Sequence, residues 1–165
     1  MFIFSGVNDR SLAASLKTPL KACFGVVSKI FYENSVMGNT KGGYEYSSGV
    51  WQFEGEANIP SGTDATSVMQ VFGATTIMLR VYSAKLTVYR SPTVLENVYN
   101  RWFKVNVIHD VGASNVKVYI DGVQRYEGSG AGGNNHYFKF GVYAEDGASH
   151  RVESRWRQIR VLRKN

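Results

Sequence analysis

The sequence predicts an all-β fold: a sandwich or jelly roll of antiparallel strands. Two observations carry this. Beyond Asn39, apolar and polar residues alternate with period two through about nine short stretches, the signature of strands with one face buried and one solvated. The composition agrees, with 10 Tyr, 9 Phe and 17 Gly against only 3 Pro, which suits strands joined by tight turns.

The elements follow in order. Before Asn39, Leu12, Leu16, Leu20 and Phe24 recur four apart, allowing a weak amphipathic helix over Leu12–Phe31 that Pro19 interrupts. Val50–Ile59 sets Trp51, Phe53 and Ala57 against Gln52, Glu54 and Glu56. Ser67–Phe72 sets Met69 and Val71 against Val68, Gln70 and Phe72. Thr76–Tyr82 sets Ile77, Leu79 and Val81 against Met78, Arg80 and Tyr82. Ala84–Arg90 sets Leu86 and Val88 against Lys85, Thr87 and Tyr89. Trp102–His109 sets Phe103, Val105 and Val107 against Lys104, Asn106 and Ile108. Val116–Ile120 sets Val116, Val118 and Ile120 against Lys117 and Tyr119. Asp121-Gly122 then signals a type I′ hairpin turn into Val123–Tyr126. A Gly-rich loop over Gly128–Asn135 precedes His136–Glu145, whose Phe138, Phe140 and Val142 face one way and Tyr137, Lys139, Gly141 and Tyr143 the other. Ser154–Arg163 closes the chain. The expected division is a divergent extension over 1–39, partly helical or disordered, and a jelly roll over 40–165.

Composition bounds the function. The chain has 165 residues, 44% of them apolar, enough for one domain with a real core. A net charge of +6 raises the expectation of an anionic partner. Cys23 is the only cysteine, so an intrachain disulfide is excluded. No apolar run is long enough to span a bilayer as a helix. Met1–Phe4 is too short for a signal sequence and Asp9 and Arg10 interrupt it, whereas Arg10–Tyr32 is acid-free with a faint transit-peptide character.

The polar strand faces collect Gln70, Arg80, Tyr82, Lys85, Tyr89, Lys104, Asn106, Lys117, Tyr119, Lys139 and Tyr143. This set is cationic, phenolic and amide, with no Asp or Glu in it. A sheet presenting it would hold carboxylates by charge-assisted hydrogen bonds and stack sugar rings on tyrosine. Each lysine taken singly is also an ordinary solvated strand residue. His109, His136 and His150 have no metal-type spacing with one another or with Cys23, so neither metal nor cofactor is expected. No nucleophile elbow, P-loop or dinucleotide fingerprint occurs. The basic-aromatic alternation could suit single-stranded nucleic acid, but the RNA-recognition signature is missing, which argues against it.

From roughly Gly43 to Lys164 the sequence resembles the citrate-binding-protein-like group of plants, within the alginate lyase 2 superfamily that includes polysaccharide lyase family 7. The resemblance rests on Tyr44-Glu45-Tyr46-Ser47-Ser48-Gly49-Val50-Trp51-Gln52-Phe53-Glu54-Gly55, Trp102-Phe103-Lys104-Val105-Asn106-Val107-Ile108-His109-Asp110, Tyr119-Ile120-Asp121-Gly122-Val123-Gln124, Tyr137-Phe138-Lys139-Phe140-Gly141-Val142-Tyr143 and Glu153-Ser154-Arg155-Trp156-Arg157. It implies a concanavalin A-like jelly roll whose concave sheet forms the ligand groove. It also implies a secreted or vacuolar protein, and an N-terminus that is truncated or divergent.

Lyase members cleave uronates by β-elimination: a carboxylate is neutralised, a base removes a proton, and an acid protonates the leaving oxygen. By resemblance Tyr143, Lys139 and Gln70 match the lyase motifs, so Tyr143 and Gln70 are the catalytic candidates. Phe72 stands where those motifs carry His, Glu145 where the strand ends in Gln, and no Arg-x-Glu-x-Arg precedes Tyr44. Tyr143 would need a strongly cationic environment to act as a base, since a phenol ordinarily ionises near pH 10. Three readings follow: a monomeric binding protein for citrate or an acidic oligosaccharide without lyase activity, an active polysaccharide lyase, and a shortened form without ligand function. The ligand-binding candidates are Arg80, Lys139, Lys104, Asn106, Tyr82 and Lys117.

Overall fold

A computed structural model describes residues 21–23, 27–32, 36–39, 44–74 and 76–164. Thirteen strands are formed among them: β1 Lys21–Cys23, β2 Val27–Tyr32, β3 Val36–Asn39, β4 Val50–Asn58, β5 Thr66–Phe72, β6 Ile77–Tyr82, β7 Lys85–Val88, β8 Thr93–Leu95, β9 Trp102–Asp110, β10 Asn115–Ile120, β11 Val123–Ser129, β12 Tyr137–Ala144 and β13 Arg151–Arg163. They build two sheets. The larger runs β1-β13-β4-β9-β10-β11, with β2 also paired to β13, and the smaller runs β3-β12-β5-β6-β7-β8. Every ladder within them is antiparallel. The expected all-β sandwich is what forms.

The core lies where the two apolar strand faces meet. The larger sheet contributes Phe53, Phe103, Val105, Val107, Val118 and Trp156, and the smaller Met69, Val71, Leu79, Leu86 and Phe138, all buried. Phe53 is fully buried, with its ring centroid 5.8 Å from Phe138, 5.7 Å from Phe140 and 5.7 Å from Trp156. These tilted and edge contacts are the favoured arrangements of aromatic rings in a core. The opposing faces assigned from alternation hold through β4, β6, β9, β10 and β12. In β5 a register shift between Ser67 and Met69 turns Val68 inward as well.

Other differences are instructive. The helix expected over Leu12–Phe31 is absent from its described part, where β1 and β2 pair with β13 instead. Leu12–Leu20 lies outside the described residues. β3 pairs with β12, so the described segments of 21–39, expected to be an extension, add strands to both sheets. β7 stops at Val88, short of Arg90, because Tyr89 turns to a positive φ of 50°. β8 is three residues long, too short for alternation to reveal. The Asp121-Gly122 turn has φ of 51° and 81°, as a type I′ hairpin needs.

One buried chain of hydrogen bonds ties the sheets together. The indole N–H of Trp156 donates to Ser154 Oγ at 3.0 Å, and the Ser154 hydroxyl donates to the carbonyl of Gly141 at 2.7 Å. Gly141 sits within the irregularity between Phe140 and Tyr143, at a φ of 130° that side-chain-bearing residues rarely adopt. The bulge is therefore pinned from the opposite sheet, and it sets the direction in which Tyr143 leaves β12.

Candidate functional site

The outer face of the smaller sheet is built from cross-strand rungs. In one rung Lys139 of β12 lies beside Gln70 of β5, which lies beside Met78 of β6. In the next, past the bulge, Tyr143 lies beside Ser67, then Arg80, then Thr87 of β7. Tyr137 and Phe72 form a third rung at one end. The face thus unites Gln70, Arg80, Lys139 and Tyr143, with Tyr82 further along β6.

Lys139 stands over aromatic surface. Its Nζ is 4.2 Å from the Phe72 ring centroid and 5.6 Å from that of Tyr137, and the two rings lie 4.7 Å apart. This is cation–π geometry. No carboxylate among the described residues pairs with Lys139. Burial without a compensating anion pushes its pKa below the ordinary lysine value. Phe72, at the position where the lyase motifs carry His, is 40% exposed and acts as the floor beneath this ammonium. Tyr143 is 47% exposed on the same face, and its backbone carbonyl accepts from the Thr66 hydroxyl at 3.0 Å.

Arg80 is on the face but engaged. Its Nη2 pairs with Glu145 Oε2 at 3.1 Å, its Nε donates to Ser67 Oγ at 3.3 Å, and the Ser67 hydroxyl donates to Glu145 Oε1 at 2.6 Å. The Tyr89 ring lies 5.6 Å from the Arg80 guanidinium carbon. Burial raises the Tyr89 pKa, and the Arg80 charge partly offsets that rise. Tyr82 carries Arg90 over its ring at 4.7 Å, and its buried hydroxyl has no partner among the described residues.

Two expectations need correction. Lys104, Asn106 and Lys117 are not on this face: β9 and β10 belong to the other sheet. There Lys104 is ion-paired with Glu54, whose second oxygen holds Arg160 at 2.8 Å. Asn106 accepts from Gln52 at 2.9 Å, and Lys117 pairs with Glu127 at 3.5 Å. These groups satisfy one another across neighbouring strands. The cationic face is also not free of acids, because Glu145 sits on it. Alternation gives the face of a residue within its own strand but not the sheet to which that strand belongs.

Two histidines are buried away from this face. Tyr46 Oη lies 3.0 Å from His109 Nδ1, and the His109 and His136 rings meet edge-on at 4.7 Å. Burial raises the Tyr46 pKa and lowers that of His109 to about 4, so a neutral phenol meets a neutral imidazole. His136 fixes the turn after β5, with Nδ1 3.3 Å from the Phe72 carbonyl and Nε2 3.1 Å from that of Gly133. Their contacts tie β9 to the Tyr46 segment and to the loop before β12. No cluster of metal-binding side chains occurs among the described residues.

The comparisons with known proteins agree with this fold. A family model described as alginate lyase, Alginate_lyase2, matches residues 33–163. The citrate-binding protein of Hevea brasiliensis is 48% identical over 126 residues, covering 73% of this chain and 53% of that protein, so the chain spans about half the length of this relative. Among solved structures, the alginate lyase AlgAT5 of polysaccharide lyase family 7 superposes with a TM-score of 0.64 at 16% identity, covering 94% of this chain and 87% of that one. The alginate lyase of Corynebacterium sp. gives 0.62, also at 16% identity, over 73% and 62%. At such identities these structures speak for the fold alone. On the match to the family model across most of its length, the chain belongs to the alginate lyase 2 family.

Proposed function

We propose that this protein binds a carboxylate-bearing ligand, citrate or an acidic oligosaccharide, on the outer face of the smaller sheet, as a monomer and without lyase activity. The observation that carries this reading is Lys139: a part-buried ammonium over two aromatic rings, with no carboxylate partner among the described residues. An ammonium so placed gains from an incoming anion, because the anion supplies the pairing that burial has made costly. Gln70 on the neighbouring strand and the exposed Tyr143 phenol add hydrogen-bonding groups, and the Phe72 ring adds a flat apolar surface. The name of the Hevea relative supports the same class of ligand.

One observation favours a second reading. Tyr143 is exposed on this face at the position the lyase motifs give to their catalytic tyrosine. β-Elimination also needs the substrate carboxylate neutralised and a proton relayed. Phe72 offers no proton, and Arg80, the guanidinium on the Tyr143 rung, is held by Glu145. The binding reading is therefore preferred.

Calorimetric titration tests it. The parent protein should release or take up heat with citrate or with oligouronates, and Lys139→Ala should weaken that binding about tenfold or more, the usual worth of a charge-assisted contact. No binding by the folded parent, or binding indifferent to Lys139→Ala, sinks the proposal. A rise in ultraviolet absorbance from unsaturated uronate, abolished by Tyr143→Phe, would establish the lyase instead.

A further inference from the structure

We infer that Glu145 sets the ligand class of this face: it holds Arg80 with a carboxylate of the chain's own, leaving Lys139 to receive a ligand carboxylate. The inference rests on reading the face as a carboxylate site, and it adds which cation of that site is open to a ligand carboxylate.

The contacts are specific. Both oxygens of Glu145 are engaged, one by Arg80 Nη2 and one by the Ser67 hydroxyl, while Arg80 Nε donates to that same hydroxyl. The three groups form a closed ring of charge-assisted bonds. The side chains of Arg80 and Glu145 are only 18% and 15% exposed, so the pair is sheltered from water and weakly screened by salt. The backbone N–H of Glu145 donates to the Ala65 carbonyl at 2.8 Å, which anchors the main chain from which this side chain leaves. Arg80 is thus paired with a carboxylate, the kind of group a ligand would offer it, here supplied from within.

The consequence is selective. A ligand carboxylate approaching Arg80 must displace Glu145, or sit beside it and meet like charge. A ligand carboxylate at Lys139 meets neither obstacle. Repulsion of a wrong partner separates ligands as effectively as attraction of the right one. The face therefore receives a ligand through a carboxylate at Lys139 and disfavours placing a second carboxylate of that ligand at Arg80. Glu145 is a specificity-determining residue, acting through the occupancy of Arg80.

Substitution converts this into a gain of binding, which a merely structural role would not give. In Glu145→Gln the amide oxygen still accepts from Ser67, while the charge that holds Arg80 is gone. Titrate the parent, Glu145→Gln and the Glu145→Gln/Arg80→Ala double variant with citrate and with glycolate, which has one carboxylate. In Glu145→Gln, citrate should bind about tenfold more tightly or gain a second equivalent, while glycolate at the Lys139 position changes by no more than about threefold. The double variant should return to the parent level. Thermal melting shows whether the Gln variant folds, and Glu145→Ala replaces it if it does not. Unchanged citrate binding in the folded variant overturns the inference, as does a gain that survives Arg80→Ala. A parent that binds neither ligand, beside a Glu145→Gln variant with Arg80-dependent binding, would instead sink the Lys139 reading and leave the role of Glu145 standing.

Discussion

At the scale of single residues, the distinguishing group is Lys139, because burial and charge pull it in opposite directions. Its cationic form is disfavoured by desolvation, and the rings of Phe72 and Tyr137 compensate only in part. Its folded-state pKa therefore lies below the usual 10.5. Anion binding requires the protonated form, so affinity should be flat through neutral pH and fall as pH rises through this depressed value. A citrate titration repeated from pH 7 to pH 10 checks the sign. Affinity should decline within that window for the parent and stay level for Lys139→Arg, since a guanidinium keeps its proton well beyond pH 10. A parent profile as flat as that of Lys139→Arg would show that another group carries the ligand. Lys104 and Lys117 look equivalent to Lys139 in the sequence. They differ because Glu54 and Glu127 already neutralise them.

At the scale of the element, β12 and its bulge do most to shape the face. Gly141 adopts a φ of 130°, and its carbonyl is held by Ser154 from the other sheet. Gly141→Val should force the bulge towards regular pairing, costing on the order of 1–3 kcal/mol from backbone strain. It should also weaken ligand binding by displacing Tyr143 relative to Lys139. Denaturant melts with parallel citrate titrations check both. Unchanged stability together with unchanged binding would mean that the bulge is incidental.

The element scale also shows why sequence reasoning reached as far as it did. Alternation is local, so the two faces of β12 and the Asp121-Gly122 turn were legible residue by residue. Sheet membership is not local. The rung joining Tyr143 to Ser67 and Arg80, and the pairing of Arg80 with Glu145, depend on strand order and register that no single stretch encodes. Nor does the sequence around Pro19 disclose that Lys21–Cys23 and Val27–Tyr32 gain more from pairing with β13 than from local helix formation. The catalytic-type position of Tyr143 came from resemblance, and the engagement of Arg80 from geometry.

At the scale of the whole molecule, the sandwich separates a face whose charges are mutually satisfied from one that keeps a cation available. On the larger sheet Glu54 takes Lys104 and Arg160, Glu56 takes Arg157, and Glu153 takes Arg151 and Arg155. These cations of the larger sheet are thus each paired with an acid of the same sheet, and net charge alone does not distinguish them from Lys139.

The join between loops and core has its own pH dependence. His109 is buried against Tyr46 and His136, beside the Asp110 carboxylate, and its pKa is lowered to about 4 by burial first and by His136 second. The unfolded chain takes up this proton near pH 6.5, so stability from neutral His109 is complete above that pH. It is lost as pH falls towards 4, to a total of about 3 kcal/mol. Urea melts at pH 7 and pH 4.5 should show that loss in the parent and a smaller one in His109→Gln. Equal losses would place the acid sensitivity elsewhere.

The account stands or falls on where an anion sits. A crystal structure of the protein soaked with citrate tests this most directly. The account predicts a carboxylate within hydrogen-bonding distance of Lys139 Nζ, about 2.7–3.2 Å, on the outer face of the smaller sheet, with Arg80 still held by Glu145. Citrate seated on the larger sheet against Lys104 or Lys117, or bridging Arg80 in place of Glu145, would contradict it.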